Sequence, residues 1–109
     1  MEAAVYKLEI FVPEHYLSGI CEALWSVDAG HIGKYDRCLS WSRVSSCWRP
    51  LEGAAPYDGT VGQLSQAEEI KIEVCCLAER LKETLDAVKQ AHPYEEPVVN
   101  VLPLKKTGL

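Results

Sequence analysis

No apolar run in this chain approaches the about 20 residues that a membrane span requires. Basic runs are also missing, and Asp and Glu outnumber Lys and Arg by 16 to 11. A formal net charge of -5 makes a poor partner for nucleic acid or for an anionic membrane, so neither is expected. The opening residues, Met1 to Lys7, lack a basic segment followed by an apolar one, and no secretory signal is visible. Cys-x-x-Cys and His-x-x-x-His spacings do not occur, so the usual sequence marks of a metal site are absent. The glycine-rich stretch Gly53 to Gly62 has no Gly-Lys-Ser/Thr after it and is not a phosphate loop; it reads as a long loop or hairpin tip. No Ser-His-Asp or Cys-His arrangement can be argued from the residue order. The five cysteines, Cys21, Cys38, Cys47, Cys75 and Cys76, are odd in number. With no export signal, they predict free thiols, a reducing compartment and a cytoplasmic location.

What is present is an ordinary globular composition, 48% hydrophobic and 25% charged, in 109 residues. That length predicts a single domain over residues 1–109. Tyr6 to Val12 alternates, with Leu8, Ile10 and Val12 on one side and Lys7, Glu9 and Phe11 on the other, as a half-buried strand does. Pro13 ends it and suits the first turn of a helix. Leu17, Ile20, Cys21, Leu24 and Val27 then recur at helical spacing, and Gly30 stops the helix near Asp28. His15, early in that helix, reads as a surface residue. Tyr35 to Trp48 is rich in aromatics and β-formers and predicts a long second strand. Glu69 to Cys76 alternates again, with Ile70, Ile72, Val74 and Cys76 opposite Lys71, Glu73 and Cys75. Cys75 and Cys76 therefore point to opposite faces and are not read as a redox pair. A second helix follows with Leu77, Leu81, Leu85 and Val88 as its apolar stripe. A last strand runs from about Val98 to Leu104, and Lys105 to Leu109 reads as a frayed tail.

A weak internal repeat runs through this order. Lys7-Leu8-Glu9-Ile10 matches Lys71-Ile72-Glu73-Val74, and Leu17 then aligns with Leu81. Each strand leads into a helix, and each helix ends in a histidine connector, His31 in the first half and His92 in the second. Two such β-α-β halves interleave into an α+β, ferredoxin-like βαββαβ sandwich: a four-stranded antiparallel sheet, two helices on one face, and an extended hairpin from the second and third strands. The other sheet face, with Lys7, Glu9, Phe11, Lys71, Glu73 and Cys75, is left uncovered. Trp41 and Trp48 on the second strand predict an aromatic edge that a partner must cover. A homo-oligomer is the expectation.

The densest run of functional side chains is Ala91-His92-Pro93-Tyr94-Glu95-Glu96-Pro97. Pro93 pushes His92 out of the α region, so a helix reaching Ala91 must stop and the chain must leave extended. His92, Tyr94, Glu95 and Glu96 suit ligand binding, a divalent cation or general acid-base work. A purely geometric role fits them too: His92 capping a helix C-terminus as an imidazolium, Tyr94 at a subunit contact, and both glutamates solvated or paired. A metal site shared by His31, His92 and Glu95, with Cys38 as a further candidate, is the sharper alternative. Whether the two histidine connectors converge depends on sheet order and on neighbouring subunits.

Gly30-His31-Ile32-Gly33-Lys34-Tyr35-Asp36-Arg37-Cys38 resembles a "GHIGxYxxC" signature of the Nif-three-like (YqfO-type) family, NGG-one-interacting factor three. Arg49-Pro50, Gly53, Pro56, Gly59, Gly62, Glu68 to Glu73 and Ala91 to Pro97 continue that pattern in order. The resemblance is to a module inserted between two pieces of a metal-binding body in longer members. It implies a stand-alone version of that module, similar in fold to CutA and PII signalling proteins, which are ferredoxin-like trimers. His92-Pro93-Tyr94-Glu95 and the strand ending in Leu102-Pro103-Leu104 resemble CutA directly. Nothing here matches the body's metal ligands, so its hydrolase activity is not carried over. The chain also departs from the family's glycine-containing approach to Arg/Lys-Pro, holding Val44-Ser45-Ser46-Cys47-Trp48 there, so a backbone anion site is not carried over either.

The expectation is a PII/CutA-like oligomer, a trimer ahead of a dimer, that binds a small ligand or a metal or regulates a partner without catalysis. Its candidate sites are connectors 30–35 and 92–96, with His31, Tyr35, His92, Tyr94, Glu95 and Glu96 as ligand-binding residues. The alternatives are a divalent-metal protein or enzyme using His31, His92, Glu95 and Glu96, and a purely structural oligomerisation module.

Overall fold

The computed structural model describes residues 3–108. Met1 and Glu2 from the opening segment, and Leu109 from the expected tail, lie outside the described residues. The elements run β1 (Val5–Val12), α1 (Leu17–Ser26), β2 (Ser40–Trp48), β3 (Ser65–Leu77), α2 (Leu81–Ala91) and β4 (Val99–Leu104). Short 3₁₀ turns, Glu14–Tyr16 and Ala78–Arg80, lead into the two helices. The strands form one sheet in the order β2-β3-β1-β4, with every neighbouring pair antiparallel. This is the ferredoxin-like α+β architecture.

Period-two alternation sets the core. Leu8, Ile10 and Val12 of β1 and Ile70, Ile72, Val74 and Cys76 of β3 are buried, on the face shared with Ile20 and Leu24 of α1 and Val88 of α2. The register pairs Leu8 with Val74 and Ile10 with Ile72, so the apolar rows meet side by side. The opposite face carries a ladder of charge: Lys7 pairs with Glu73 and Glu9, and Lys71 pairs with Glu9 at 3.3 Å. Glu9 sits below the usual carboxylate range, held by Asn100 and Lys71. Lys7 sits above its ordinary value, chiefly through its bond to Glu73.

Gly30 joins the two halves of the backbone. Its N–H donates to the Cys75 carbonyl at 2.8 Å, and its own carbonyl accepts the Cys38 N–H at 2.9 Å. Its φ is +82°, and a Cβ there would collide with the Cys38 carbonyl.

Three boundaries differ from the sequence expectation. β2 begins at Ser40, not Tyr35. A tight Ile32–Tyr35 bridge and a left-handed Arg37 (φ 58°) keep residues 35–39 irregular. β3 begins at Ser65, because its pairing with β2 continues out to Trp48. Leu77 belongs to β3 and is 47% exposed, so the buried face of α2 is Thr84 and Val88, flanked by Leu81 and Leu85.

β2 and β4 are the sheet edges. Trp41 on β2 is 54% exposed, and Val101 and Leu102 on β4 are exposed. Trp48 does not share that exposure: it is half-buried at the inner end of a cleft.

Candidate functional site

Pro93 shapes the site from below. α2 ends as His92 turns extended (φ -84°, ψ 134°), with the His92 N–H donating back to Val88 at 2.9 Å. The imidazole is buried, and both ring nitrogens are engaged. Nε2–H donates to the Phe11 carbonyl at 2.7 Å, and Nδ1 accepts the Tyr94 N–H at 3.1 Å. A carbonyl can only accept and an amide N–H can only donate, so these partners select the neutral Nε2–H tautomer. Burial lowers the imidazole's pKa, against the opposing pull of the Phe11 carbonyl and Glu69. His92 is therefore a neutral clamp between α2, β1 and the connector, rather than the imidazolium cap expected from its place at a helix end.

The clamp aims Tyr94. Its hydroxyl donates to Glu69 Oε2 at 2.6 Å, and Glu69 is only 6% exposed. Burial and the bond to this acid hold the phenol far above its ordinary pKa. Glu95, beside it, accepts the Ala55 N–H at 3.1 Å and draws the long loop after β2 against the connector. Two further bonds fold the same loop back. Trp48 Nε1–H donates to the Asp58 carbonyl at 3.1 Å, and Tyr57 hydrogen-bonds His15 Nε2 at 3.0 Å. The rings then cluster: Tyr57 lies 5.8 Å from Tyr94 and 5.9 Å from Tyr16, and Trp48 lies 6.4 Å from Tyr94, centre to centre.

Between loop, connector and open sheet face lies a cleft of about 520 Å³. Phe11, Trp48, Tyr57 and Tyr94 supply aromatic wall, and Asp58, Glu69, Glu95 and Glu96 supply carboxylates. The volume and the mixed lining suit a small molecule.

Of the residues singled out in the sequence, Tyr94, Glu95 and Glu96 line this cleft and His92 supports it. His31 and Tyr35 do not join them. His31 lies in a recess with Val5 and Cys75, at the far end of β1 from the Phe11 carbonyl that His92 holds. The separation is about 20 Å along β1, at roughly 3.3 Å per residue. Its Nδ1 is paired with Asp28 at 3.1 Å and its Nε2 contacts the Gly33 carbonyl at 3.0 Å, and both contacts raise its pKa. Tyr35 is 75% exposed and lines neither cavity. A single protomer thus does not bring His31, His92 and Glu95 together, and Cys38 bonds only weakly to the Asp36 carbonyl. Among the described residues, no group of three or more His, Cys, Asp or Glu side chains is placed to hold a metal ion.

Glu69 and Tyr57 carry no site assignment from the sequence, while His15 reads there as a surface residue and Trp48 as part of an exposed edge; the structure brings Glu69, Tyr57 and Trp48 to the cleft and bonds His15 to Tyr57. The alternation that exposed Lys71 and Glu73 also put Glu69 on the open face, which was the available clue.

No protein-family model matches the chain. It is 37% identical over 105 residues to a GTP cyclohydrolase 1 type 2 homolog of Halalkalibacterium halodurans, covering 96% of this chain and 28% of that protein. The homolog of the same name in Bacillus subtilis is 35% identical, covering 93% of this chain and 27% of the relative. The chain thus spans about a quarter of the length of the curated relatives it matches. The crystal structure of a Bacillus cereus protein related to NIF3 superposes with a TM-score of 0.84 at 33% identity, over 99% of this chain and 28% of that one. The periplasmic divalent cation tolerance protein CutA of Archaeoglobus fulgidus superposes at 0.69 with 20% identity, over 96% of this chain and 87% of that one, a likeness of fold. The chain is accordingly related to a domain-sized segment of the Nif-three-like proteins, and that segment has the CutA fold.

Proposed function

We propose that this chain is a homo-oligomeric domain that binds a small molecule, and thereby regulates a partner, through the cleft between the His92–Glu96 connector and the loop after β2. The observation that carries the reading is the construction of the cleft. A buried acid, a neutral histidine and a glutamate hold both walls in place, while the wall surfaces themselves are aromatic. Binding, without covalent chemistry, is the proposed role. Self-association is proposed from the two sheet edges and from Trp41. An intracellular location is proposed from the five free cysteines.

Native mass spectrometry of protein purified without chelator tests both parts. The reading expects an oligomer with bound mass that Tyr94→Phe or Glu95→Ala reduces. A monomer would overturn the assembly. Bound mass that both substitutions leave intact would overturn the site.

A further inference from the structure

The protein itself satisfies only half of the acid at the bottom of the cleft. Glu69 is 94% buried and lines the cavity. Its Oε2 accepts the Tyr94 hydroxyl, while Oε1 has no donor among the described residues. Nor is Oε1 sealed away: the one enclosed side-chain polar atom without a partner among those residues is Trp25 Nε1. The free lone pairs of Glu69 are therefore accessible from the cleft. A buried carboxylate with a single hydrogen bond is costly, and a donor carrying positive charge is what offsets that cost.

The surroundings favour the same partner. Tyr94 and Trp48 present ring surface next to Glu69, and ring faces attract cations. Four carboxylates line the cavity against one guanidinium, that of Arg49. The nearby Lys71 is committed to Glu9. The rest of the wall is mostly apolar, with Pro50, Pro56 and Val98, and it includes Ser46 and Cys47. A bare divalent ion prefers several oxygen ligands. The four cleft carboxylates are not gathered for one: among the described residues no three His, Cys, Asp or Glu side chains are placed to hold a metal ion, so a buried acid among aromatic rings fits an organic cation better.

We propose that the cleft takes a protonated amine with an apolar body, its N–H groups on Glu69 Oε1 and its body against the Trp48, Tyr57 and Tyr94 rings. A quaternary ammonium, having no N–H, would leave Oε1 unsatisfied and should bind less well. This inference rests on the binding role proposed above and adds the class of ligand.

The test compares probes of matched size on the intact protein: phenethylammonium, phenethyl alcohol, hydrocinnamate and zinc ion. The readout is the NMR signals of the Trp48 indole N–H and the Tyr94 amide. Phenethylammonium should bind about tenfold more tightly than the alcohol, the usual weight of one charge-assisted hydrogen bond, and hydrocinnamate more weakly than either. Glu69→Gln keeps an acceptor for Tyr94 and should bring the amine-to-alcohol affinity ratio from about ten to about one. If that variant fails to fold, the wild-type amine-to-alcohol ratio decides alone. Equal binding of amine and alcohol, preference for hydrocinnamate, or a response to zinc alone would overturn the ligand class and leave the cleft standing as a site. No response of Trp48 or Tyr94 to any probe would overturn both.

Discussion

Replacing His92 with Phe keeps a ring of similar shape and removes both of its hydrogen bonds. The Phe11 carbonyl and the Tyr94 N–H, now bonded at 2.7 and 3.1 Å, would lose their partners inside a largely buried site. Leaving a buried polar group unsatisfied costs about 1–3 kcal/mol, two groups are left, and the added apolar ring returns about 1 kcal/mol, so a net loss of about 1–5 kcal/mol is expected. For a domain of this size, at about 4 °C per kcal/mol, that lowers Tm by roughly 4–20 °C at fixed protein concentration. The pH dependence supplies a second, sharper test. His92 titrates below its ordinary value in the folded protein because burial disfavours its charge. Its contribution is therefore fully present above the unfolded-state pKa of about 6.5 and is lost as pH falls toward the lower folded value. The slope from this one group is at most about 1.4 kcal/mol per pH unit. His31 has the opposite sign: its raised pKa stabilises the acid side and fades as pH rises, and its exposure keeps the effect small. Chemical denaturation of wild type and His92→Phe from pH 7.5 to 5 should show the difference between them shrinking on acidification. A difference that stays constant or grows would refute the neutral-clamp assignment.

Other expectations follow from the same geometry. Gly30→Ala meets both a left-handed backbone and the Cys38 carbonyl, and should cost about 2–4 kcal/mol in urea unfolding. Leu8→Ala, at a fully buried position, should cost about 2–5 kcal/mol, whereas breaking the exposed Arg43–Glu14 pair by Arg43→Ala should leave urea unfolding nearly unchanged. Trp41→Ser should leave protomer unfolding nearly unchanged and shift sedimentation toward smaller species, since the side chain is 54% exposed on an edge strand. In an alkaline absorbance titration, one of the five tyrosines should resist ionisation until the fold opens, and Tyr94→Phe should remove that resistant group.

Much of the fold was legible because strand alternation and proline act locally. The Leu8-Ile10-Val12 and Ile70-Ile72-Val74 rows are the buried ones, and Pro93 ends α2 where its steric rule says it must. The start of β2 was not legible. Residues 35–39 have strand-like composition, but a left-handed Arg37 breaks the strand, and an Arg does not announce that conformation.

The candidate site was half legible. The repeat makes His31 and His92 equivalent along the chain, yet β1 and β3 are antiparallel. Each helix returns from the end of its own strand toward that strand's start, so the two connectors emerge at opposite ends of the sheet. Trp48 looks exposed in the sequence because the loop that covers it is held by the Asp58 carbonyl and the Ala55 N–H. Those are backbone groups that carry no residue-specific mark. Glu69 looked like its neighbours Lys71 and Glu73, and only the arrival of Tyr94 from a distant connector sets it apart.

Whether the cleft beside Tyr94 is the binding site is tested by a map of where small molecules perturb the protein. Backbone and indole NMR shifts would be recorded while a mixed panel of amines, alcohols and carboxylates is added. The largest changes are expected on Trp48, Ala55, Asp58 and Tyr94, with His31 and Ile32 unmoved. Changes centred on Gly30 to Tyr35, or spread evenly along the β2 and β4 edges, would contradict that assignment.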